Sequence, residues 1–228
     1  MLVSCINHTI WYTLKMIKQF HHLPHDQRLD QEQCKNAKVY ASREDFIKTL
    51  SHGIEFIEVG VAAGDFAEFV IDTCRPTRVI LIDLYAQMDV FFMERDARRY
   101  TKEENLDFVI NRMKKYKSVE VVQNDSLIAL PELMRRNEFF DFIYLDASHV
   151  YQDIVLDIEA SCALLKEYGI LGINDYIWKD EDGRQYGVIP AVNKFLEANK
   201  DWEIIAFALH DRMYSDVYLR RKMPQPEW

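Results

Sequence analysis

Five short apolar runs alternate with segments of helical character along this chain, and this alternation constrains its fold more than any other feature. A short uninterrupted apolar run is typical of a strand that is buried on both faces. Helices placed between such strands indicate an α/β fold, in which a doubly wound, parallel sheet is covered on both sides. The predicted strands are 56–59, 79–83, 119–122, 139–145 and 170–173, followed by two more, 202–209 and 217–220, that are joined by a turn.

The segment from Tyr151 to Tyr168 has the clearest helical pattern. Its apolar residues recur at helical spacing, and Gly169 follows at a point where a left-handed residue commonly ends a helix. We therefore predict that Gly169 caps this helix. Residues 1–40 are polar and predict an N-terminal helical extension, while residues 41–228 are predicted to form the main domain. Four other helices are predicted to begin near residues 65, 101, 126 and 188.

The net charge of the chain and the spacing of its cysteines limit which binding partners and which cellular compartment are expected. The chain has 28 basic and 37 acidic residues, which gives a net charge of −9. Because such a surface repels a phosphate backbone, we expect no nucleic acid partner. No apolar run approaches the roughly 20 residues that span a bilayer, so no membrane association is expected either. The four cysteines are scattered and form no paired motif, which favours a reducing, cytoplasmic location.

Polar residues follow each of the five predicted buried strands. Parallel sheets of this kind bind ligands at the carboxyl ends of their strands, so these residues are the candidate site. All five groups include a carboxylate. The groups are 58–64, Asp83, 124–126, 146–149 and 174–175.

The first of these groups, from Glu58 to Gly64, forms a strand–loop–helix junction with glycines at 60 and 64. A dinucleotide-binding loop would need glycine at 62 and 65 as well, where this chain has Ala62 and Asp65. Asp65 would also place negative charge where a pyrophosphate binds, so a cationic or zwitterionic nucleoside fits this loop better. A tight turn without a ligand is the alternative.

Two acidic positions after the next strands extend this interpretation. Asp83 could accept hydrogen bonds from both hydroxyls of a ribose, and Asp125 with Ser126 could bind an adenine edge. Each also has a purely structural interpretation. Asp83 could be a turn residue or a helix cap, and Asp125 or Ser126 could cap the helix that follows.

The groups after the fourth and fifth strands carry the candidate chemistry. Neighbouring strand ends lie only about 5 Å apart, so Asp146 and Asp175 could converge, with Asn174 completing an oxygen shell for Mg²⁺ or Ca²⁺. His149 could accept a proton from an acceptor hydroxyl. Alternatively, the two aspartates cap helices or loops, and His149 bonds to a backbone carbonyl.

The pattern Glu58-x-Gly60-x-x-x-Gly64, followed by Asp83 and then Asp125-Ser126, resembles the class I S-adenosylmethionine-dependent methyltransferases over residues 40–222. The resemblance implies a Rossmann-like, seven-stranded sheet with one reversed strand in a C-terminal antiparallel hairpin. It also implies that the glycine loop holds the methionine part of the cofactor, that Asp83 holds the ribose and that Asp125 lies beside the adenine. Ala62 stands where the family often has a third glycine. The implied cofactor site comprises Glu58, Gly60, Gly64, Asp83, Asp125, Ser126 and Asp146.

A second pattern, L-D-x-x-H-x-Y with a later N-D pair, resembles a methyltransferase subgroup that includes macrolide-sugar O-methyltransferases and, more loosely, the catechol O-methyltransferase type. The resemblance implies that Asp146, Asn174 and Asp175 hold Mg²⁺ and that His149 and Asp146 are catalytic. Asn174 replaces the glutamate that is usual there.

The expected function is therefore S-adenosylmethionine-dependent methyl transfer to a hydroxyl of a small molecule, such as a sugar or another natural product. Two alternatives stay open. One is a nucleotide-dependent oxidoreductase on a Rossmann-type sheet, and the other is a non-catalytic member that only binds a cofactor. The N-terminal segment could cover the active site or pair two subunits, so a homodimer is also an open expectation.

Overall fold

A computed structural model describes residues 28–85, 102–176, 186–210 and 215–224. These residues form one sheet with helices on both faces. The strands are β1 Lys38–Tyr40, β2 Glu55–Val59, β3 Arg78–Asp83, β4 Val119–Gln123, β5 Phe140–Leu145, β6 Leu165–Ile173, β7 Trp202–Leu209 and β8 Ser215–Arg221. The helices are α1 Gln31–Cys34, α2 Arg43–Ile47, α3 Asp65–Cys74, α4 Lys102–Met113, α5 Ser126–Arg135, α6 Tyr151–Leu164 and α7 Val188–Ala198.

The sheet has the order β1-β7-β8-β6-β5-β2-β3-β4. All neighbours are parallel except β8, which runs antiparallel to both β6 and β7. From β2 the chain moves outward through β3 to β4, and it then returns to place β5 on the other side of β2. The crevice between the loops that follow β2 and β5 is therefore the point at which an α/β sheet of this kind binds its ligand. The predicted α/β fold with a C-terminal antiparallel hairpin is confirmed.

The predicted strand number of seven is wrong, because β1 adds an eighth strand at the edge of the sheet. Lys38–Tyr40 pairs in parallel with residues 206–208 of β7. The helix before it, α1, is tied to the same region by Gln33, whose buried side-chain amide donates hydrogen bonds to three backbone carbonyls. The acceptors are Leu196 at 2.8 Å, Asn199 at 3.1 Å and Trp202 at 3.0 Å.

Two apolar cores cover the two faces of the sheet. Along β2, Phe56 belongs to the core beneath α2, α3 and α4, and Ile57 and Val59 belong to the core beneath α5, α6 and α7. Since side chains alternate along a strand, Glu58 projects toward the same face as Phe56. None of the helices in the described ranges is both long enough and apolar enough to cross a membrane.

The predicted helix cap at Gly169 is also wrong. Helix α6 ends at Leu164, the chain enters β6 directly at Leu165, and Gly169 lies inside that strand. The register between β5 and β6 shifts at this point, because Phe140 pairs with Leu165 whereas Phe142 pairs with Ile170. A Cβ atom at Gly169 would lie 3.0 Å from the Phe140 carbonyl oxygen, so the glycine permits a close approach of two strands.

Candidate functional site

The glycine loop after β2 contains left-handed glycines at 60 and 64 and packs on the end of β5. Gly60 has a φ of +89°, and Gly64, at the N-terminus of α3, has a φ of +80°. A Cβ atom at Gly60 would lie 2.1 Å from the backbone oxygen of Asp146. Both the backbone conformation and this contact require glycine at position 60. The loop and the first residue after β5 therefore form one continuous wall of the crevice.

Asp83, at the end of β3, holds this loop in place. One oxygen of its carboxylate accepts hydrogen bonds from the backbone N–H groups of Val61 at 2.7 Å and Ala62 at 3.0 Å. The other oxygen accepts the N–H of Tyr85 at 2.8 Å. Asp83 thus lies at the predicted edge of the site and is engaged with the backbone of the glycine loop.

Ala62 has a backbone conformation that glycine would adopt more easily. Its φ of +48° is in the left-handed region, which a side chain with a Cβ occupies at a cost of about 1–2 kcal/mol. Its N–H is bound by Asp83, so this hydrogen bond helps to hold the strained conformation.

Glu58 is the most unusual side chain at the site. It is only 2% exposed, and its Oε2 atom has no hydrogen-bond partner among the described residues. Burial, and after it the charge of Asp146, raise the pKa of the Glu58 carboxyl well above its usual range. A buried carboxyl oxygen without a partner is costly, and a ligand that donates a hydrogen bond or brings a positive charge would offset this cost.

Asp125 and Ser126 have clear structural contacts. Asp125 caps α5, because one of its carboxylate oxygens accepts the N–H of Leu127 at 2.9 Å. Ser126 lies near Asp157, a buried residue of α6, and opposes the rise in the pKa of that carboxyl. The structural interpretation of Asp125 as a helix cap is thus observed, and the side chain of Ser126 is engaged with α6.

Asp146 lies beside the glycine loop and close to a cation. Its carboxylate is 3.9 Å from the guanidinium of Arg43. Burial raises the pKa of Asp146 to about 6, although His149 and Arg43 oppose that shift.

His149 and Asp175 are joined directly. The Nε2 atom of His149 lies 3.2 Å from Asp175 Oδ2, and its ring stacks on Tyr186 with 4.4 Å between the ring centroids. Burial alone would lower the pKa of His149, but the hydrogen bond and charge of Asp175, together with the charge of Asp146, raise it above its usual value. The imidazole is thus fixed from one side by a carboxylate and from one face by an aromatic ring.

The predicted metal set is arranged differently. Asp175 pairs with His149 at 3.2 Å, so its carboxylate is engaged with the imidazole. Within the part of the chain that the structure describes, no group of three histidine, cysteine or acidic side chains could hold a metal ion. Magnesium is therefore not supported by the residues present.

Arg43 is the main residue of the site that the sequence did not reveal. It begins α2, before the first buried strand, and its NH1 atom donates a 3.1 Å hydrogen bond to the hydroxyl of Tyr144. Its guanidinium also lies 4.7 Å above the ring of Phe66 at the start of α3. An arginine one residue after a serine helix cap carries no motif, so no signal in the sequence could have placed it at the site.

The central part of the chain matches a known domain family. Residues 57–176, more than half of the 228 residues, match the Methyltransf_24 family model, which is described as a methyltransferase domain. A comparison with curated proteins gave no match.

Several solved structures have a similar fold. An O-methyltransferase from Bacillus cereus in complex with SAH has a TM-score of 0.57 at 16% identity, over 88% of this chain and 84% of that chain. A putative rRNA-methylase from Clostridium thermocellum has a TM-score of 0.58 at 11% identity, over 80% and 95%. The N-methyltransferase NodS from Bradyrhizobium japonicum, in complex with S-adenosyl-L-homocysteine, has a TM-score of 0.52 at 15% identity, over 91% and 98%. At these identities the likeness establishes the fold alone.

Proposed function

Because this chain belongs to the methyltransferase domain family, we propose that it transfers a methyl group from S-adenosylmethionine to a hydroxyl group of a small molecule, such as a sugar or another natural product. The observation that carries the proposal is the His149–Asp175 pair, which lies on the same crevice as the glycine loop. The family match also disfavours the alternative of a nucleotide-dependent oxidoreductase.

The residues around the glycine loop fit a cofactor of this kind. Glu58 has a buried oxygen without a partner among the described residues, and Gly60 lets the loop pack directly against the backbone of Asp146. Glu58 and Asp146 supply negative charge for a ligand that carries an ammonium and a sulfonium group. We assign the cofactor to Glu58, Gly60, Gly64, Asp83, Asp125, Ser126 and Asp146.

His149 is the proposed general base. Because Nε2 lies 3.2 Å from the Asp175 carboxylate, we assign Nδ1 as the nitrogen that accepts the proton of an acceptor hydroxyl. Asp175 stabilises the imidazolium that results, as a carboxylate partner does in other histidine bases. When bound, S-adenosylmethionine supplies an electrophilic methyl group, whose C–S bond breaks as the acceptor oxygen forms its bond to carbon and the electron pair stays on sulfur. The protein contributes the alignment of the two reactants and the removal of the proton.

The acceptor is proposed to be a small molecule because of charge. The chain carries a net charge of −9, and the crevice itself includes Glu58, Asp146 and Asp175. A phosphate backbone would be repelled by such a surface, whereas a neutral hydroxylated molecule would not be.

The first experiment is a calorimetric titration of the purified protein with S-adenosylhomocysteine, with NAD as the comparison ligand. We expect saturable binding of S-adenosylhomocysteine and none of NAD. Transfer of a labelled methyl group from S-adenosylmethionine is then measured on a panel of sugars and phenols, with amines and an rRNA fragment included. Labelling of hydroxylated small molecules supports the proposal. The absence of S-adenosylhomocysteine binding, or labelling of RNA or amines alone, contradicts it.

Three broader proposals accompany this function. The main domain is proposed to span residues 41–228, and strand β1, at Lys38–Tyr40, is the part of the proposed N-terminal extension 1–40 that joins its sheet. A reducing, cytoplasmic setting agrees with the free thiols of the three described cysteines, Cys34, Cys74 and Cys162. A homodimer is the proposed assembly, and size-exclusion chromatography with light scattering tests it.

A further inference from the structure

Arg43 is held at the floor of the crevice by a buried polar network. Its NH1 atom donates to the hydroxyl of Tyr144, which in turn donates to Asp216 Oδ2 at 2.8 Å. The hydroxyl of Tyr218 donates to the same Asp216 oxygen at 3.2 Å. Tyr144 and Tyr218 are fully buried and Asp216 is 5% exposed, so the guanidinium rests on a rigid support.

The guanidinium faces the glycine loop. It lies above the ring of Phe66, the second residue of α3, and 3.9 Å from Asp146 Oδ2, beside the backbone that Gly60 contacts. Its side chain is 28% exposed, so part of it is accessible to solvent or a ligand. Arg43 is thus a cation at the same end of the site as the partnerless oxygen of Glu58.

The hydrogen-bonding capacity of Arg43 is far from used. A guanidinium has five N–H donors, and among the described residues only Tyr144 accepts one of them. The distances from its nitrogens to Asp146 Oδ2, 3.9 Å, and to Glu44 Oε1, 3.7 Å, are both too long for a hydrogen bond. A planar fork with free donors beside a crevice is suited to a carboxylate, which it can bind through two parallel hydrogen bonds.

We infer that Arg43 binds the carboxylate of the amino-acid end of the cofactor, while Glu58 and Asp146 face its ammonium group. The inference rests on the proposed function, because it presupposes a cofactor with an amino-acid end. A zwitterion needs both signs of charge in fixed positions, and Arg43 lies 3.9 Å from one of these two acids. The Tyr144–Asp216–Tyr218 network is then the support that orients the guanidinium before the ligand arrives.

The test compares two ligands that differ in one group. S-adenosylhomocysteine carries the carboxylate, and decarboxylated S-adenosylhomocysteine lacks only that group and keeps the ammonium. Their dissociation constants are measured by calorimetry on the wild-type protein, on Arg43→Met and on Arg43→Lys. Lys48→Met serves as the matched control, because Lys48 is an exposed cation just beyond the same helix.

We expect the wild-type protein and the Lys48→Met control to prefer S-adenosylhomocysteine by about 10- to 100-fold, as a charge-assisted bidentate contact would give. Arg43→Met loses this preference, since its affinity for the full ligand falls to that for the decarboxylated one. Arg43→Lys keeps the positive charge but loses the paired N–H donors of the guanidinium, so it should retain part of the preference. It also provides the test if Arg43→Met does not fold.

Two results would overturn the inference. The first is an equal loss of affinity for both ligands in Arg43→Met and Arg43→Lys, which would assign Arg43 a structural role. The second is an unchanged preference in both variants. If the wild-type protein binds neither ligand, it is the proposed function that fails, so the two failures are distinguishable.

Discussion

The Nε2 atom of His149 lies 3.2 Å from the Oδ2 atom of Asp175, which joins the segment after β5 to the residue two positions after β6. Asp175 adopts a left-handed φ of +54°, which aspartate tolerates better than most residues. The pairing makes Asp175 a partner of the proposed base rather than a metal ligand. A carboxylate on one ring nitrogen fixes the tautomer and leaves the other nitrogen to accept a proton.

Replacing Asp175 tests whether the pair works as a unit. Asp175→Asn keeps a hydrogen-bond acceptor but removes the charge that raises the pKa of His149, so we expect that pKa to fall. The imidazole resonances, followed by NMR across the pH range, measure this change directly. Once an acceptor is known, the methyl-transfer rate should fall roughly 10- to 100-fold. Its acidic limb should move to lower pH, because the base then loses its proton at lower pH.

The exposed Asp107 of α4 provides a matched control for this measurement. Asp107→Asn should leave both the His149 resonances and the rate unchanged. An unaltered His149 titration in Asp175→Asn would show that the carboxylate does not govern the base.

The glycine loop gives a second prediction, from two nearby left-handed positions. Gly60→Ala places a methyl group against the Asp146 carbonyl and strains a φ of +89°, so the free energy of unfolding should fall by more than about 2 kcal/mol. Ala62→Gly removes the strain at φ +48° but increases the entropy of the unfolded chain, so it should change stability by no more than about 1 kcal/mol. Urea unfolding of both variants measures the difference. Equal stability of the two variants would contradict this account of the loop.

Much of the fold was predictable because each central strand is buried on both faces. The run 79–83, for example, corresponds to β3 at Arg78–Asp83, since a strand covered by helices on both sides must be apolar throughout. Strand β1 carries no such signal, because two of its three residues are exposed at the sheet edge. The end of α6 has no signal in the sequence, because the chain passes from helix to strand without a turn and Gly169 has the spacing of a helix cap.

The sequence pattern predicts which edge of the sheet carries the site, but not which of its side chains contact one another. Parallel strands end at one edge of the sheet, so the positions of Asp83, Asp146 and Asp175 followed from the strand order of the pattern alone. Which side chains bond to each other depends on loop conformation, and that is why the pairing of Asp175 with His149 was not foreseen. The placement of Arg43 depends on its hydrogen bond to Tyr144, which lies about a hundred residues further along the chain. The spacing of residues in the sequence does not predict such a contact.

Two serines, Ser126 at the start of α5 and Ser161 in α6, are expected to change stability in opposite directions when replaced by alanine. The hydroxyl of Ser161 is fully buried and has no hydrogen-bond partner among the described residues. Ser161→Ala removes an unsatisfied polar group and should stabilise the protein by about 1 kcal/mol. Ser126 interacts with the buried Asp157 and opposes the rise in the pKa of that carboxyl, so Ser126→Ala should destabilise the protein by about 1 kcal/mol. Chemical unfolding at a single pH compares them, and a loss of stability in Ser161→Ala would indicate a partner for that hydroxyl.

Asp157 gives the last prediction, which concerns the pH dependence of stability. It is 1% exposed on α6, its Oδ1 atom has no partner among the described residues, and burial raises its pKa to about 7. The charges of Asp153 and Asp125 raise it further, whereas Ser126 opposes the shift. Because the folded pKa lies above the unfolded value of 3.8, the folded state binds the proton more tightly. Stability from this group is present below about pH 4 and is lost as the pH rises toward and through 7.

Asp157→Asn isolates this contribution. The amide stays neutral at every pH, so the variant should lose less stability than the wild-type protein between pH 4 and pH 8, by on the order of 4 kcal/mol. Asp146 and Asp216, with pKa values raised to about 6 and about 7, contribute the same slope to both proteins, so the difference belongs to Asp157. Glu159→Gln, an exposed change on the same helix, should follow the wild-type curve. The result is decided by the slope of the free energy of unfolding against pH, and not by its absolute value. The introduced amide buries N–H groups at a cost that shifts the whole curve, because that cost does not vary with pH. Parallel curves for Asp157→Asn and the wild-type protein would mean that Asp157 is already ionised, and solvated, in the folded state.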